Sequence, residues 1–534
     1  MKRTITTWIA LMMSLIVVAQ EHQSMTPQKK LEMLQFQKLI QVSHYISKLY
    51  VDDVDMLPIT ESAVRAMLED LDPHSAYIDK EEMKGVHESF DGEFSGIGVQ
   101  FAVLKDTIHV VNTIAGGPSE RVGMMPNDRI VKIDTLNAVG MRQVDVPKYL
   151  RGKKGSRVKL EVVRHGIEER LSFTITRDNI PLNTVDAAYM ATPRIGYIKI
   201  NRFGKTTFKE FIDAYEKLDR PSKLILDLQA NGGGLLDQAI DLAGFFLPKG
   251  TKVVSTEGRV VPEMGFSSAS AWNGFKGEVA VLIDETSASA SEIVAGALQD
   301  WDRAVIIGRP SFGKGLVQRQ IELGDGSAIR LTVARYHTPS GRVIQRPYEK
   351  GKRTEYYQNH LKRYDNNLLD SMDRNAPSYK TLNTQRTVYG GGGIRPDVMV
   401  AVDTTGYTPY VGNLVRQGVI NEWVWGYMDT QREVLNKKYP KFNYFLRHFS
   451  PSTEMISQLA QLGKTRGVEI DSVALNRSEK ILQLRIKSLI AQQLFDIEAF
   501  YHVINEAQDN AYHRAIEILS NWEVAGKPIL EPHK

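Results

Sequence analysis

The stretch from Asp284 to Gln318 decides the reading of this chain. It runs Asp284-Glu-Thr-Ser-Ala-Ser-Ala-Ser-Glu-Ile-Val-Ala-Gly-Ala-Leu-Gln-Asp300, then a short apolar segment from Ala304 to Ile307, then Gly308-Arg-Pro-Ser-Phe-Gly-Lys-Gly-Leu-Val-Gln318. Ahead of it, Glu278 to Ile283 is apolar and β-rich. From Ser291 to Leu298 the apolar spacing becomes helical, so the small serines sit where a strand hands over to a helix. A helix start leaves backbone N–H groups without partners. Those donors can hold an oxyanion, which suits a serine there to act as a nucleophile. A plainer reading is available too: Ser289-Ala-Ser-Glu292 is a capping box that only starts the helix.

Lys314 favours the chemical reading. It follows Ser289 by 25 residues, beyond the next strand. Gly313 and Gly315 flank it, so the backbone can approach closely. Burial makes a lysine give up its charge, and a neutral amine beside a serine hydroxyl is a general base. On an extended strand, positions 314, 316 and 318 share a face, which would let Gln318 orient the amine.

These residues resemble the C-terminal processing peptidases, or tail-specific proteases, whose Ser-Ala-Ser-Ala-Ser-Glu-Ile pattern carries the nucleophile on its middle serine. The resemblance spans about Tyr50 to Val400. It implies a crotonase-like α/β peptidase core in which Ser289 is the nucleophile, Lys314 the base and Gln318 its partner, with no metal and no cofactor. A rival reading exists, because Gly308 to Lys314 satisfies G-x-x-x-x-G-K, the start of a phosphate-binding loop. Gly315 stands where that motif needs Ser or Thr, and Leu316 to Ile321 predicts a strand where the motif needs a helix.

The chain has 534 residues, a length for several domains, with 42% hydrophobic and 24% charged residues. Its formal charge is +4, two units of which come from Lys2 and Arg3. No basic block is present, so nothing points to nucleic acid. The absence of cysteine excludes disulfides, thiol catalysis and cysteine-based metal sites. Lys2 and Arg3 precede the apolar run Trp8 to Val18, which predicts a signal peptide over residues 1–20 and a secreted, periplasmic protein. The alternative is an uncleaved membrane anchor.

Residues 21–85 read as a helical segment, with Leu34, Phe36, Leu39, Ile40, Val42 and Ile46 as an apolar stripe. His74, in Leu71-Asp-Pro-His, has no ligand partner at useful spacing and reads as structural. Residues 86–178 resemble a PDZ domain, through Phe94-Ser-Gly-Ile-Gly-Val-Gln-Phe, the Gly116-Gly-Pro-Ser turn and the closing strands. That resemblance implies that Gly96, Ile97 and Gly98 hold a substrate's C-terminal carboxylate while its tail adds a strand. From 179 to 405 strands and helices alternate, predicting an α/β core.

Asn231-Gly-Gly-Gly at a strand-to-helix turn offers free N–H groups. By the resemblance, Gly233 and the backbone of Ala290 form the oxyanion hole. The family usually has Asn-Pro-Gly-Gly preceded by arginine here, whereas this chain has Gly232 and Gln229. A polar insertion is expected at 347–390, partly disordered or lid-like. Residues 406–534 read as helical, packing within the chain or forming a homo-oligomer interface. The partners implied are protein substrates with apolar tails, with room for an adaptor protein. The remaining alternative is a catalytically inactive PDZ scaffold.

Overall fold

The computed structural model describes residues 26–104, 106–114, 116–269, 274–361 and 376–531. The signal peptide expected at 1–20 lies outside them. The chain divides into two compact units, the first ending at Leu71 and the second starting at Asp72.

The first unit contains the helices Pro27–Leu49 and Met56–Glu69, each opened by a side-chain cap, from Thr26 and Asp55. The stripe that predicts the first helix is exposed, with Phe36 63% and Ile40 69% accessible. Among the described residues no helix is long and apolar enough to cross a membrane.

In the second unit the α/β region is built on a six-stranded sheet. Its order is Val185–Met190, Ile195–Ile200, Lys223–Asp227, Glu278–Ile283, Val305–Gly308 and Val398–Met399. The first pair is antiparallel and all the others are parallel. Parallel strands covered on both faces read as continuous apolar runs, and Ile195–Ile200 is buried at every position. Leu224 and Leu226 face helices Thr207–Lys217, Leu236–Phe246 and Ala290–Asp300. Ile225, between them, faces the other way, onto Tyr512, Ala515 and Leu519 of the near-terminal helix Asn510–Ser520. The end of the chain is therefore a layer of this core.

A second sheet carries Ala328–His337 at its centre, flanked by Ala76–Ile78, Lys252–Glu257 and Leu316–Glu322. The PDZ-like sheet runs Val99–Leu104, Thr107–Thr113, Arg129–Ile133, Arg157–Val163 and Leu171–Thr176, with helix Val146–Leu150 over a core of Ile108, Val110, Ile130, Leu160 and Val162. Five helices between Pro409 and Leu494 share one apolar core. Trp423 and Val424 belong to that core, and Trp425 stacks on His109 of the PDZ-like sheet.

The insertion is more ordered than its polarity predicts. Helix Arg353–Leu361 and a hairpin of Ser378–Lys380 with Thr387–Tyr389 occupy it, and Arg386 anchors it through buried pairs with Asp302 and Asp397, both at 2.7 Å. Residues 362–375 lie outside the described residues.

Candidate active site

Strand Glu278–Ile283 ends in a turn closed by Asp284, whose carboxylate accepts the Thr286 and Ser287 N–H groups at 3.0 Å each. Ser289 follows at φ 57°, ψ −113°, a conformation that side-chain-bearing residues avoid. Its N–H donates to Glu292 Oε2 at 2.8 Å. This is the glutamate limb of the expected capping box, but Glu292 does much more. Its fully buried carboxylate also accepts Ser311 Oγ at 2.5 Å, Gly313 N at 2.7 Å and Lys314 N at 2.9 Å. Burial pushes the Glu292 carboxyl up, and these four donors pull it back down. One carboxylate thus ties the backbones of Ser289 and Lys314 together.

That arrangement removes the phosphate-binding alternative. The Gly313 and Lys314 amides that a phosphate would need are already held by Glu292. The chain continues as strand Leu316–Glu322, not a helix.

Both glycines around Lys314 are needed. A Cβ at Gly313, where φ is 85°, would lie 2.6 Å from Arg346 Cγ, and one at Gly315 would lie 2.8 Å from the Gln345 nitrogen. The Lys314 carbonyl accepts the buried Tyr336 phenol, which is also within hydrogen-bond reach of the Ser289 hydroxyl. The Lys314 amine is pushed below the ordinary lysine value, first by burial and then by the charge of Arg330; Glu292 and Asp72 act in the opposite sense.

Lys314, Leu316 and Gln318 line one cleft, in keeping with a shared strand face, and the register shift beside Gln318 leaves Val333 as the extra residue on the partner strand. The Gln318 amide donates to Thr332 Oγ1 at 3.4 Å rather than to Lys314. Thr332 N in turn donates to Ser75 Oγ at 3.2 Å, and Ser75 Oγ to Asp72 Oδ2 at 2.5 Å. Gln318 therefore connects to the loop that sequence reading takes as a simple helix stop. His74 in that loop stays structural, its ring edge-on to Tyr356 and its pKa lowered to about 4 by burial and by Lys314. Among the described residues no cluster of three or more His, Asp or Glu side chains could hold a metal.

The glycine loop is fastened by the buried Asn231. Its side chain donates to the Ile200 carbonyl at 2.9 Å, and its own carbonyl accepts Ala288 N at 3.0 Å and Ser291 Oγ at 2.9 Å. Gly233, at φ 95°, is pressed against the nucleophile turn, and a Cβ there would stand 2.7 Å from Ser289 Cβ and 2.9 Å from Ala290 N. Only glycine fits. Yet the Gly233 N–H donates to Asn231 Oδ1 at 2.9 Å. Of the two donors expected for the oxyanion hole, Ala290 lies at the open first turn of its helix, whereas Gly233 is engaged in this conformation.

Gln229 occupies the position where the resemblance has arginine, and a cation arrives from the neighbouring strand instead. Lys199 Nζ donates to Asp227 Oδ2 at 3.2 Å and to the Gln229 carbonyl at 2.9 Å. Tyr197 adds a bond to the same Asp227 oxygen at 2.5 Å. Lys199→Met would leave Asp227 buried and short of its cation, a loss of about 3–5 kcal/mol. A lower thermal unfolding midpoint than wild type is the expected result.

Ser289, Ala290, Lys314, Gln318, Gly233 and Tyr336 all line one cleft of about 390 Å³. Gly96, Ile97 and Gly98 are not part of it. Ile97 and Gly98 line a separate groove of about 80 Å³, together with Phe94, Val99, Phe101 and Leu150. The Ile97 carbonyl is held by Ser119 through both N–H and hydroxyl, at 3.0 and 2.7 Å. Sequence reading missed Glu292 as a clamp, Asn231 as a fastener and Tyr336 altogether. The first two stand inside the motifs quoted above, while Tyr336 carries no local signal.

Residues 194–350 match Peptidase family S41, and residues 95–175 match the PDZ domain. Residues 6–82 match the activating protease CtpB N-terminal domain, and residues 410–496 match a family of unknown function. The carboxy-terminal-processing protease of Bartonella bacilliformis is 38% identical over 339 residues, covering 62% of this chain and 77% of that protein. The carboxy-terminal processing protease CtpA of Bacillus subtilis is 36% identical over 314 residues, covering 58% and 67%. Among solved structures, the photosystem II D1 C-terminal processing protease is similar at 24% identity and a TM-score of 0.35, covering 66% of this chain and 85% of that one.

Proposed function

This chain belongs to the carboxy-terminal processing protease family of serine peptidases, and from that premise we propose that it is a secreted endopeptidase that takes protein substrates by their C-terminal tails and cuts them with a Ser289–Lys314 dyad. The observation that carries this reading is the Glu292 clamp, which holds both residues at one cleft. Lys314, whose amine burial shifts toward the neutral form, takes the Ser289 proton as Oγ attacks the scissile carbonyl. The tetrahedral oxyanion is met by the Ala290 N–H and a glycine-loop amide, with the Gly233 N–H turning from Asn231 to join it. The Lys314 ammonium then protonates the leaving amine, and the same base activates the water that hydrolyses the acyl-enzyme. Gln318 acts as a positioning residue at the edge of the cleft. No metal or cofactor is called for.

The amides of Gly96, Ile97 and Gly98 hold the tail carboxylate, and Phe94, Val99, Phe101 and Leu150 wall a groove suited to an apolar last residue. The leader over residues 1–20 directs the protein to the periplasm. An adaptor and a homo-oligomer built on the C-terminal helices are compatible partners. A scaffold with a dead core is disfavoured because both dyad side chains line the cleft.

Two measurements on the purified mature protein test this. A fluorophosphonate probe should label Ser289, and labelling elsewhere or not at all removes the nucleophile assignment. A loosely folded substrate with a free apolar tail should be cut with a KM about 10- to 100-fold below that of its amidated twin, the worth of charge-assisted hydrogen bonds. Equal KM values would end the tail-binding reading.

A further inference from the structure

The cleft around Ser289 contains a second cation that the dyad does not use. It is walled by the hairpin of Leu316–Glu322 and Ala328–His337, in which Arg330 stands directly opposite Gln320. The rest of the lining is glycine backbone, apolar side chains, Gln318, Tyr336 and the dyad itself, with no carboxylate among the described lining residues. The Arg330 side chain is partly buried, and its guanidinium makes no hydrogen bond or ion pair with any described residue. The Gln320 Oε1 beside it is buried and has no donor. Three other buried or part-buried arginines of the same region have their counter-charges within the chain. Arg342, Arg386 and Arg309 all pair with carboxylates at the distances of good ion pairs, between 2.5 and 2.7 Å. A half-desolvated guanidinium facing a substrate cleft without a counter-charge is set up for an anion that arrives with the substrate.

We infer that Arg330 is a specificity-determining residue that pairs with a substrate carboxylate near the scissile bond, either an Asp or Glu side chain or a free C-terminus lying in the cleft. This inference rests on the reading of Ser289 and Lys314 as the reacting groups. It has a consequence for the base as well. The charge of Arg330 is one of the influences that hold Lys314 below the ordinary lysine value. A carboxylate seated on Arg330 cancels that field, so the Lys314 amine regains protons more readily. Neutral Lys314 is the working form, and activity rises with pH through its pKa. The rising limb of the kcat–pH profile, which reports the enzyme–substrate complex, therefore moves to higher pH with an acidic substrate than with its neutral twin.

The test uses peptides of one sequence carrying Glu or Gln in turn at each position around the cleavage site. A second arm uses short peptides with free or amidated C-termini, to tell a side chain from a terminus. Wild type should favour the carboxylate at one position, or at the terminus, by about tenfold or more in kcat/KM, chiefly through KM. Its pH limb should move upward with that substrate. Arg330→Gln should bring the ratio near one and abolish the difference between the two limbs, and Arg330→Lys should keep part of both. Equal use of Glu and Gln at every position, together with equal use of both termini, overturns the inference on wild type alone. So does a preference that survives in Arg330→Gln. Failure of the dyad reading shows separately, as cleavage that persists in a Ser289→Ala variant whatever happens at Arg330.

Discussion

Lys314→Met is expected to lower kcat by about 10³-fold or more while making the protein more stable. The rate effect follows from removing the one lysine that lines the cleft with Ser289 among the described residues, the base of the proposed mechanism, since general-base catalysis contributes up to roughly 10⁴-fold and members of a catalytic unit fail together. The stability effect follows from the same burial that activates the residue. An unfolded lysine keeps its proton to about pH 10.4, whereas the buried Lys314 amine loses its proton at lower pH. Between the two values the unfolded chain binds more protons, so wild-type stability rises with pH there, and below the folded value the full penalty is present. Methionine fills similar space without that penalty. Its thermal midpoint should exceed that of wild type, with the gap narrowing as pH rises toward 10. Turnover by Lys314→Met near the wild-type rate would remove the lysine from the mechanism. A lower midpoint at neutral pH would show that the amine stabilises the fold.

Glu292→Gln carries the second largest expectation, a loss of about 10²-fold in kcat with KM little changed, together with a lower thermal midpoint. Oε2 of Glu292 accepts the N–H groups of Ser289 and Lys314, while Oε1 accepts from Ser311 and Gly313. A glutamine amide must turn its NH₂ toward one of these donor pairs whichever way it is flipped. Two N–H dipoles then face each other in a buried site, and the backbones of Ser289 and Lys314 move apart. Misplacing reacting groups by about 1 Å costs on the order of 10²-fold. This outcome separates the clamp from the plain helix cap, because glutamine serves a capping box as well as glutamate does. Wild-type kcat in Glu292→Gln would make the residue a cap and nothing more.

Much of this was legible in the chain. The buried runs Ile195–Ile200, Lys223–Asp227 and Glu278–Ile283 announce central parallel strands because each must be apolar on two faces. The serine turn and the glycines around Lys314 are visible because their chemistry is local: a helix start, a backbone in close approach, a side chain with nowhere polar to go. Gly233 was visible for the same reason, since its φ of 95° and its contact with Ser289 admit no Cβ.

The misses share a different cause. Gln318 stands opposite Thr332 and donates to it, and that partner is set by the register with the neighbouring strand, not by the alternation of one strand. The commitment of the Gly233 amide to Asn231 is a choice of hydrogen-bond partner within a loop whose composition allows several. Glu292 looked like a cap because its nearest donor is three residues away, while its other donors arrive from Ser311, Gly313 and Lys314 across a strand and a turn.

Local patterning was therefore enough for the element types and for placing Ser289, Lys314 and the glycine loop at their turns, while the PDZ-like and peptidase regions were read from a family resemblance. Tertiary packing alone decided what meets them. It set Tyr336 against the Lys314 carbonyl, brought Lys199 to the Gln229 carbonyl in place of an arginine, and left the Arg330 guanidinium in the cleft without an ion pair to any described residue. It also laid the near-terminal helix Asn510–Ser520 on the open face of the core sheet. The periodicity of a segment says which of its faces must leave water. It does not say which distant surface will cover that face, because many apolar surfaces satisfy the same burial and only the whole fold selects one.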